Sequence, residues 1–224
     1  MPVNSEEYQK IVGKLKEKNV TLVAVSKTKP VEDILELYKL GQRDFGENYV
    51  QELVEKHEQL PKDIRWHFIG HLQSNKAKQI APFISLIHSV DSEKLLKEIN
   101  KQAARNNRVI DCLLQVHIAK EETKFGLDEN ELKELFASNL KTYKNVFVKG
   151  LMGMASFTDN QEMVRKEFQL LKSLFDIHTA LQTSNVNFQT LSMGMSSDYN
   201  IAIEEGSNMV RIGSLLFGKR ETKK

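Results

Sequence analysis

The strongest constraint on this chain is an alternation. Short apolar runs, many of them β-branched, occur at 21–25 and around 44–48, 66–69, 86–90, 112–118, 146–152, 188–193 and 209–212. Segments with helical periodicity separate them. One is led by Pro30 and places Val31, Ile34, Leu35 and Tyr38 on one face, and others fall near 49–58, 75–82, 92–105, 129–138, 161–180 and 198–205. The clearest is 161–180, where Asn160 stands at the cap and Val164, Phe168, Leu171 and Phe175 form one stripe. Strands separated in this way by helices pair in parallel through right-handed crossovers. Eight such units in about 200 residues suit an α/β fold, a single (β/α)8 TIM-type barrel. An open doubly wound sheet is the competitor, and the weakest strands, 44–48 and 209–212, decide between the two; the barrel is expected. A further helix precedes it over residues 1–18, with Ser5 as the cap, Glu6 and Glu7 in its first turn, and Tyr8, Ile11, Val12 and Leu15 on one face. The barrel itself is expected over 20–217, one domain spanning 1–224.

Composition narrows the function. The 224 residues are 40% hydrophobic, enough for one sizeable core, and 32 basic against 30 acidic residues give a net charge of +2. That balance offers neither a basic face for nucleic acid nor an acidic tail. The single cysteine, Cys112, sits in an apolar run and excludes a disulfide framework or a Cys-based zinc site. The first residues lack the basic and apolar regions of a secretory signal, and no run of about 18 apolar residues occurs. A cytoplasmic protein is expected, so the sequon Asn19-Val20-Thr21 carries no meaning.

Barrel chemistry resides at the C-terminal ends of the strands. The first run ends in Ser26-Lys27-Thr28-Lys29-Pro30, which sets Lys27 at the mouth after largely apolar residues. Desolvation there lowers a lysine pKa and frees the amine for Schiff-base chemistry. After the seventh run, Ser192-Met193-Gly194-Met195-Ser196-Ser197-Asp198 opens a helix, and after the eighth comes Arg211-Ile212-Gly213-Ser214. Helix-end N–H groups, hydroxyls and a guanidinium on these two adjacent loops form a phosphate site. Other strand ends offer Asn48, His67 and His71. The two histidines straddle a strand and its loop, so they are not a metal pair, and His67 is expected to act through a hydrogen bond behind the site. His88, His117, Met152 and Met154 fall in apolar runs and are expected to pack. Gly213 to Arg220 nearly spells a nucleotide P-loop, but Arg220 replaces the required Ser or Thr and no helix can follow.

The blocks Leu22-Val23-Ala24-Val25-Ser26-Lys27-Thr28-Lys29-Pro30, Asp44-Phe45-Gly46-Glu47-Asn48-Tyr49, Trp66-His67-Phe68-Ile69-Gly70-His71-Leu72-Gln73-Ser74-Asn75-Lys76, Ser192-Met193-Gly194-Met195-Ser196 and Val210-Arg211-Ile212-Gly213 resemble, in order, the pyridoxal 5′-phosphate (PLP) homeostasis protein family. That family is related to the barrel half of alanine racemase. The resemblance runs from about residue 20 to Phe217. It implies a fold-type III PLP barrel with the cofactor, pyridoxal 5′-phosphate, held as an internal aldimine on Lys27. It also implies phosphate contacts from Ser196, Gly213 and Ser214, and a pocket lined by Asn48 and His67. Arg211 is implied to meet either the phosphate or the pyridine nitrogen. His117 stands where the family more often carries Asn.

A PLP imine is an electron sink that many reactions share, so turnover also needs positioned acid–base groups. Nothing in the sequence follows the eighth strand except a short tail. The expectation is therefore a non-catalytic protein that buffers PLP, hands it to PLP-dependent enzymes, and indirectly sustains amino-acid and keto-acid balance. The rivals are a weak amino-acid racemase using Tyr49, His67 or Tyr199 opposite Lys27, a cofactor-free Schiff-base aldolase, or a scaffold. No metal, nucleic acid or membrane is expected, and no heptad seam is visible, so a monomer is expected. Lys219 and Lys223 are expected to be neutral to substitution.

Overall fold

The computed structural model describes residues 3–121, 125–137, 140–180 and 183–218. Residue 138, Lys219, Arg220 and Lys223, on which some of the expectations above fall, lie outside them. The chain enters through α1 (Ser5–Glu17), whose cap is Asn4 rather than Ser5. The Asn4 side-chain oxygen accepts the Glu7 N–H at 3.1 Å, and Ser5 is already helical. Tyr8, Ile11 and Leu15 are the buried face. There follow β1 (Thr21–Val25), α2 (Val31–Lys39), β2 (Asp44–Glu47), α3 (Val50–Gln59), β3 (Arg65–Phe68), α4 (Ala77–Ile80), β4 (Leu86–Val90) and α5 (Glu93–Arg105). The second half is β5 (Ile110–Gln115), α6 (Glu129–Ala137), β6 (Val146–Met152), α7 (Gln161–His178), β7 (Val186–Ser192), α8 (Tyr199–Glu204), β8 (Met209–Ile212) and α9 (Ser214–Phe217).

The eight strands close in sequence order into one parallel barrel. The weak strands decide it: β8 pairs with β1 from Thr21↔Met209 to Ala24↔Ile212, and β2 pairs with both β1 and β3. Asn160 caps α7 by accepting the Met163 N–H at 3.1 Å. Three boundaries depart from the sequence reading. The segment near 75–82 is a 3-10 turn, Ser74–Lys76, followed by the single turn α4. The fifth strand begins at Ile110 and ends at Gln115, because Val116 leaves it for a bridge to Leu127. The turn α9 is too short to show a period, so the pattern of apolar residues could not reveal it.

Strand alternation sorts the side chains into two compartments. Trp66, Phe68, Ile87, Cys112, Leu114, Leu151, Leu191, Val210 and Ile212 point outward and join the main core under the helices. The inward set forms a separate small cluster of Leu86, Leu113 and Met152, flanked by Met154 and Met209. The barrel interior also holds polar residues: His67, His88, Ser192 and Arg211 are buried there and linked in one hydrogen-bonded series. Branched apolar side chains ordinarily fill this space. No helix among the described residues is long and apolar enough to cross a membrane.

Candidate functional site

A cavity of about 600 Å³ opens at the C-terminal ends of the strands, lined by Val25, Lys27, Asn48, Met154, Ser196, Arg211, Gly213 and Ser214 among others. That size lies within the usual range for small-molecule sites. Lys27 reaches it from the loop after β1 and is half-buried. The next residue, Thr28, has φ +63°, a left-handed backbone that a β-branched residue rarely adopts. Two anchors hold that strained turn. The Thr28 N–H donates to Glu52 Oε1 at 2.6 Å, and Ser26 Oγ donates to Glu47 Oε1 at 2.7 Å. Lys56, on α3, ties these anchors together by donating to Glu47, Glu52 and the Ser26 carbonyl at 2.7, 2.7 and 2.8 Å. Glu47 is fully buried, and burial pushes its carboxyl up to about 6 although Lys56 and Ser26 pull it down.

The opposite wall comes from the loops after β7 and β8. Gly194 has φ +94°, and its carbonyl accepts the Arg211 N–H at 3.0 Å, which joins the two loops. Asp198 Oδ1 accepts the Met195 N–H at 2.5 Å, and Ser196 Oγ accepts the Gly213 N–H at 3.3 Å. Ser196, Ser197, Gly213 and Ser214 thus face the cavity side by side. On the third side, Gly70 presses so close to Asn48 that an added Cβ would lie 2.2 Å from the Asn48 carbonyl oxygen. Asn48 lines the cavity, and its side-chain oxygen is buried and accepts no hydrogen bond.

Arg211 forms part of the cavity floor, only 4% exposed. Its Nη1 donates to Ser192 Oγ at 2.7 Å and its Nη2 to the Gly153 carbonyl at 3.0 Å. Burial lowers its pKa to about 10, with Asp198 opposing. A desolvated guanidinium and an unsatisfied amide oxygen both call for a polar ligand. The structure therefore brings six of the predicted site residues to one cavity: Lys27, Asn48, Ser196, Arg211, Gly213 and Ser214.

His67 is not on that wall. It lies deeper in the barrel, between Asp44 Oδ1 at 3.0 Å and His88 Nε2 at 2.9 Å. Its hydrogen bonds therefore run within the barrel, behind the residues that line the cavity. His88 is more than packing: its Nδ1 lies 3.1 Å from Ser192 Oγ. Met154 lines the cavity as well as flanking the interior cluster. His71 pairs with Asp91 at 2.9 Å and stacks on Phe125, while His117 Nε2 lies 2.9 Å from the Glu121 carbonyl. Among the described residues no cluster suited to a metal occurs. Glu47, Glu52, Lys56, Ser192 and Asp44 escaped the sequence reading. Strand parity would have flagged Ser192, two residues before Gly194 on an inward position, but nothing local ties α3 to the Lys27 turn.

A closed eight-stranded barrel with an amine, hydroxyls and a guanidinium at its mouth is a single (β/α)8 barrel, and the comparisons agree on that fold. The family model for the alanine racemase N-terminal domain matches residues 5–221. A protein of Aquifex aeolicus named pyridoxal phosphate homeostasis protein is 48% identical over 202 residues, covering 89% of this chain and 87% of that one. PipY of Synechococcus elongatus, solved with PLP bound, is 35% identical with a TM-score of 0.83, covering 92% of this chain and 98% of that one. The same protein without PLP superposes with a TM-score of 0.88, covering 95% and 99%. The chain belongs to the pyridoxal phosphate homeostasis protein family, within the alanine racemase N-terminal-domain group.

Proposed function

We propose that this protein binds PLP reversibly, attached to Lys27 as a Schiff base, and serves PLP homeostasis by buffering the cofactor and delivering it to PLP-dependent enzymes. One observation carries the reading. A single cavity joins the Lys27 amine to Ser196, Gly213, Ser214 and Arg211, and none of its described lining residues is a carboxylate, an imidazole or a phenol. Lys27 would hold the aldehyde end of the cofactor through its amine. Ser196, Gly213 and Ser214 receive the phosphate, Arg211 supplies a buried positive charge, and Asn48 offers its unused acceptor. When bound, PLP supplies an electron sink. Tyr49, His67 and Tyr199, the acid–base candidates of a racemase, are not among the cavity-lining residues, which favours carriage over turnover. The names of the relatives and PLP in PipY support the same ligand.

We further read the protein as a cytoplasmic monomer; the buried free thiol of Cys112 suits a reducing compartment. Protein mixed with PLP is expected to develop an imine absorbance band that borohydride fixes on Lys27 by mass mapping, and Lys27→Ala is expected to lose the band. A wild-type chain that develops no such band contradicts the reading. Release of α-proton label from a panel of amino acids would favour the racemase instead.

A further inference from the structure

The barrel interior holds a continuous hydrogen-bonded chain that binding alone does not require. From the cavity floor it runs Arg211 Nη1 to Ser192 Oγ at 2.7 Å, Ser192 Oγ to His88 Nδ1 at 3.1 Å, His88 Nε2 to His67 Nδ1 at 2.9 Å, and His67 Nε2 to Asp44 Oδ1 at 3.0 Å. Asp44 begins β2, at the end of the barrel away from the cavity. There it takes two hydrogen bonds from the exposed Arg65, at 2.7 and 2.6 Å. Ser192 and His88 are fully buried, and His67 nearly so. Apolar side chains would fill the same space without the desolvation cost of polar ones.

We propose that Ser192 and His88 are positioning residues for Arg211, the inner links of a chain that anchors the pocket guanidinium to the Asp44 carboxylate across the barrel. The inference rests on the reading of the cavity as a PLP site. Donor and acceptor roles fix the two ends of the chain. Arg211 can only donate, and ionised Asp44 can only accept. His67 therefore donates from Nε2 to Asp44, and the arrangement that gives the Ser192 hydroxyl proton an acceptor has His67 Nδ1 accept from His88 Nε2–H. His88 Nδ1 in turn accepts the Ser192 hydroxyl proton, and Ser192 Oγ accepts from Arg211. In that arrangement every link is satisfied with the bonding ring proton of each imidazole on Nε2. Asp44 is pushed up by burial, but the bonds from His67 and Arg65 outweigh that and hold it at about 2. Burial keeps His88 well below the ordinary histidine value, helped by His67 and Arg211, while Asp198 is the acidic group acting on Arg211. Removing any inner link leaves a buried donor or acceptor unpaired, and without Ser192 the guanidinium keeps only its bond to the Gly153 carbonyl.

Two measurements test this. In the ligand-free, 15N-labelled full chain, imidazole NMR is expected to show the His88 ring proton on Nε2 and the His67 Nε2 protonated towards Asp44. Ser192→Ala, a small change in a buried site, is expected to shift the His88 Nδ1 resonance as its bond is lost. A proton on His88 Nδ1, or a resonance that ignores Ser192→Ala, overturns the chain. The second measurement is a double-mutant cycle on the PLP dissociation constant. Ser192→Ala is expected to weaken binding by about tenfold, as for loss of a hydrogen bond to a charged group. The Ser192→Ala/Arg211→Gln pair is expected to bind no more weakly than Arg211→Gln alone. Additive losses would show that Ser192 acts independently of Arg211 and overturn the proposal. Failure of the wild-type chain to take up PLP would instead sink the cofactor reading, and the NMR measurement on the ligand-free chain would still decide the hydrogen-bonded chain.

Discussion

Lys56 shows how a residue that never touches the cavity governs one that does. Its ammonium is buried against Glu47, Glu52 and the Ser26 carbonyl, and through them it holds the strained turn that presents Lys27. Removing one partner of a buried pair leaves the other uncompensated, at a cost of about 3–5 kcal/mol. Lys56→Met is therefore expected to lose about that much stability in denaturant titrations at neutral pH. A loss within the range of an ordinary surface change would contradict the assignment. Glu47 gives the same cluster a pH signature. Its folded pKa of about 6 stands above the ordinary 4.5, so between those values the folded state binds more protons than the unfolded one. Stability contributed by Glu47 thus falls as pH rises through that window. In Glu47→Gln this fall is expected to be absent from unfolding curves measured on either side of it.

Among the elements, the loop between β7 and α8 has the least room for change. Gly194 adopts φ +94°, and an added Cβ would lie 2.5 Å from the Ala202 Cβ and 3.0 Å from the Tyr199 Cα. Alanine there would face both the left-handed backbone and the body of α8. Gly194→Ala is expected to cost more than about 1 kcal/mol in thermal unfolding. It is also expected to weaken PLP binding, because the Gly194 carbonyl holds β8 at Arg211. A Gly194→Ala chain with wild-type stability would show that the loop relaxes freely. The sequence pattern located this loop and its partner after β8, since glycine, serine and arginine mark strand ends plainly. It could not show that the Ser196 hydroxyl bridges the two loops through the Gly213 N–H.

At the level of the whole molecule, charge is buried along the barrel axis, from Arg211 at the cavity to Asp44 and Arg65 at the far end. Asp44 gives this arrangement an acid limit. Its folded pKa of about 2 lies below the ordinary 3.8, so the stability it contributes is present above 3.8 and is lost as pH falls towards 2. Asp44→Asn is expected to be destabilised at neutral pH, and the gap to the wild type is expected to close as both are acidified to about pH 2. Unfolding monitored by circular dichroism across that range measures it. A gap independent of pH would mean that Asp44 contributes by packing alone.

The strand–helix alternation by itself determined a parallel sheet of eight strand–helix units, because crossovers leave few ways to bury both faces of such a sheet, and the pairing of β8 with β1 decided closure into a barrel. The alternation also put Lys27, Asn48, Ser196, Arg211, Gly213 and Ser214 at strand ends, where a barrel places its chemistry. Only the tertiary structure decided what stands behind them. His67 was legible as polar, yet its distance from the cavity depends on how far the barrel interior extends beneath Arg211. His88 read as core because burial and hydrogen bonding leave the same mark in an apolar run. The Lys56–Glu47 pair and the Asp44–Arg211 chain join residues 9 to 167 positions apart in sequence, and such pairings exist only once the barrel has closed.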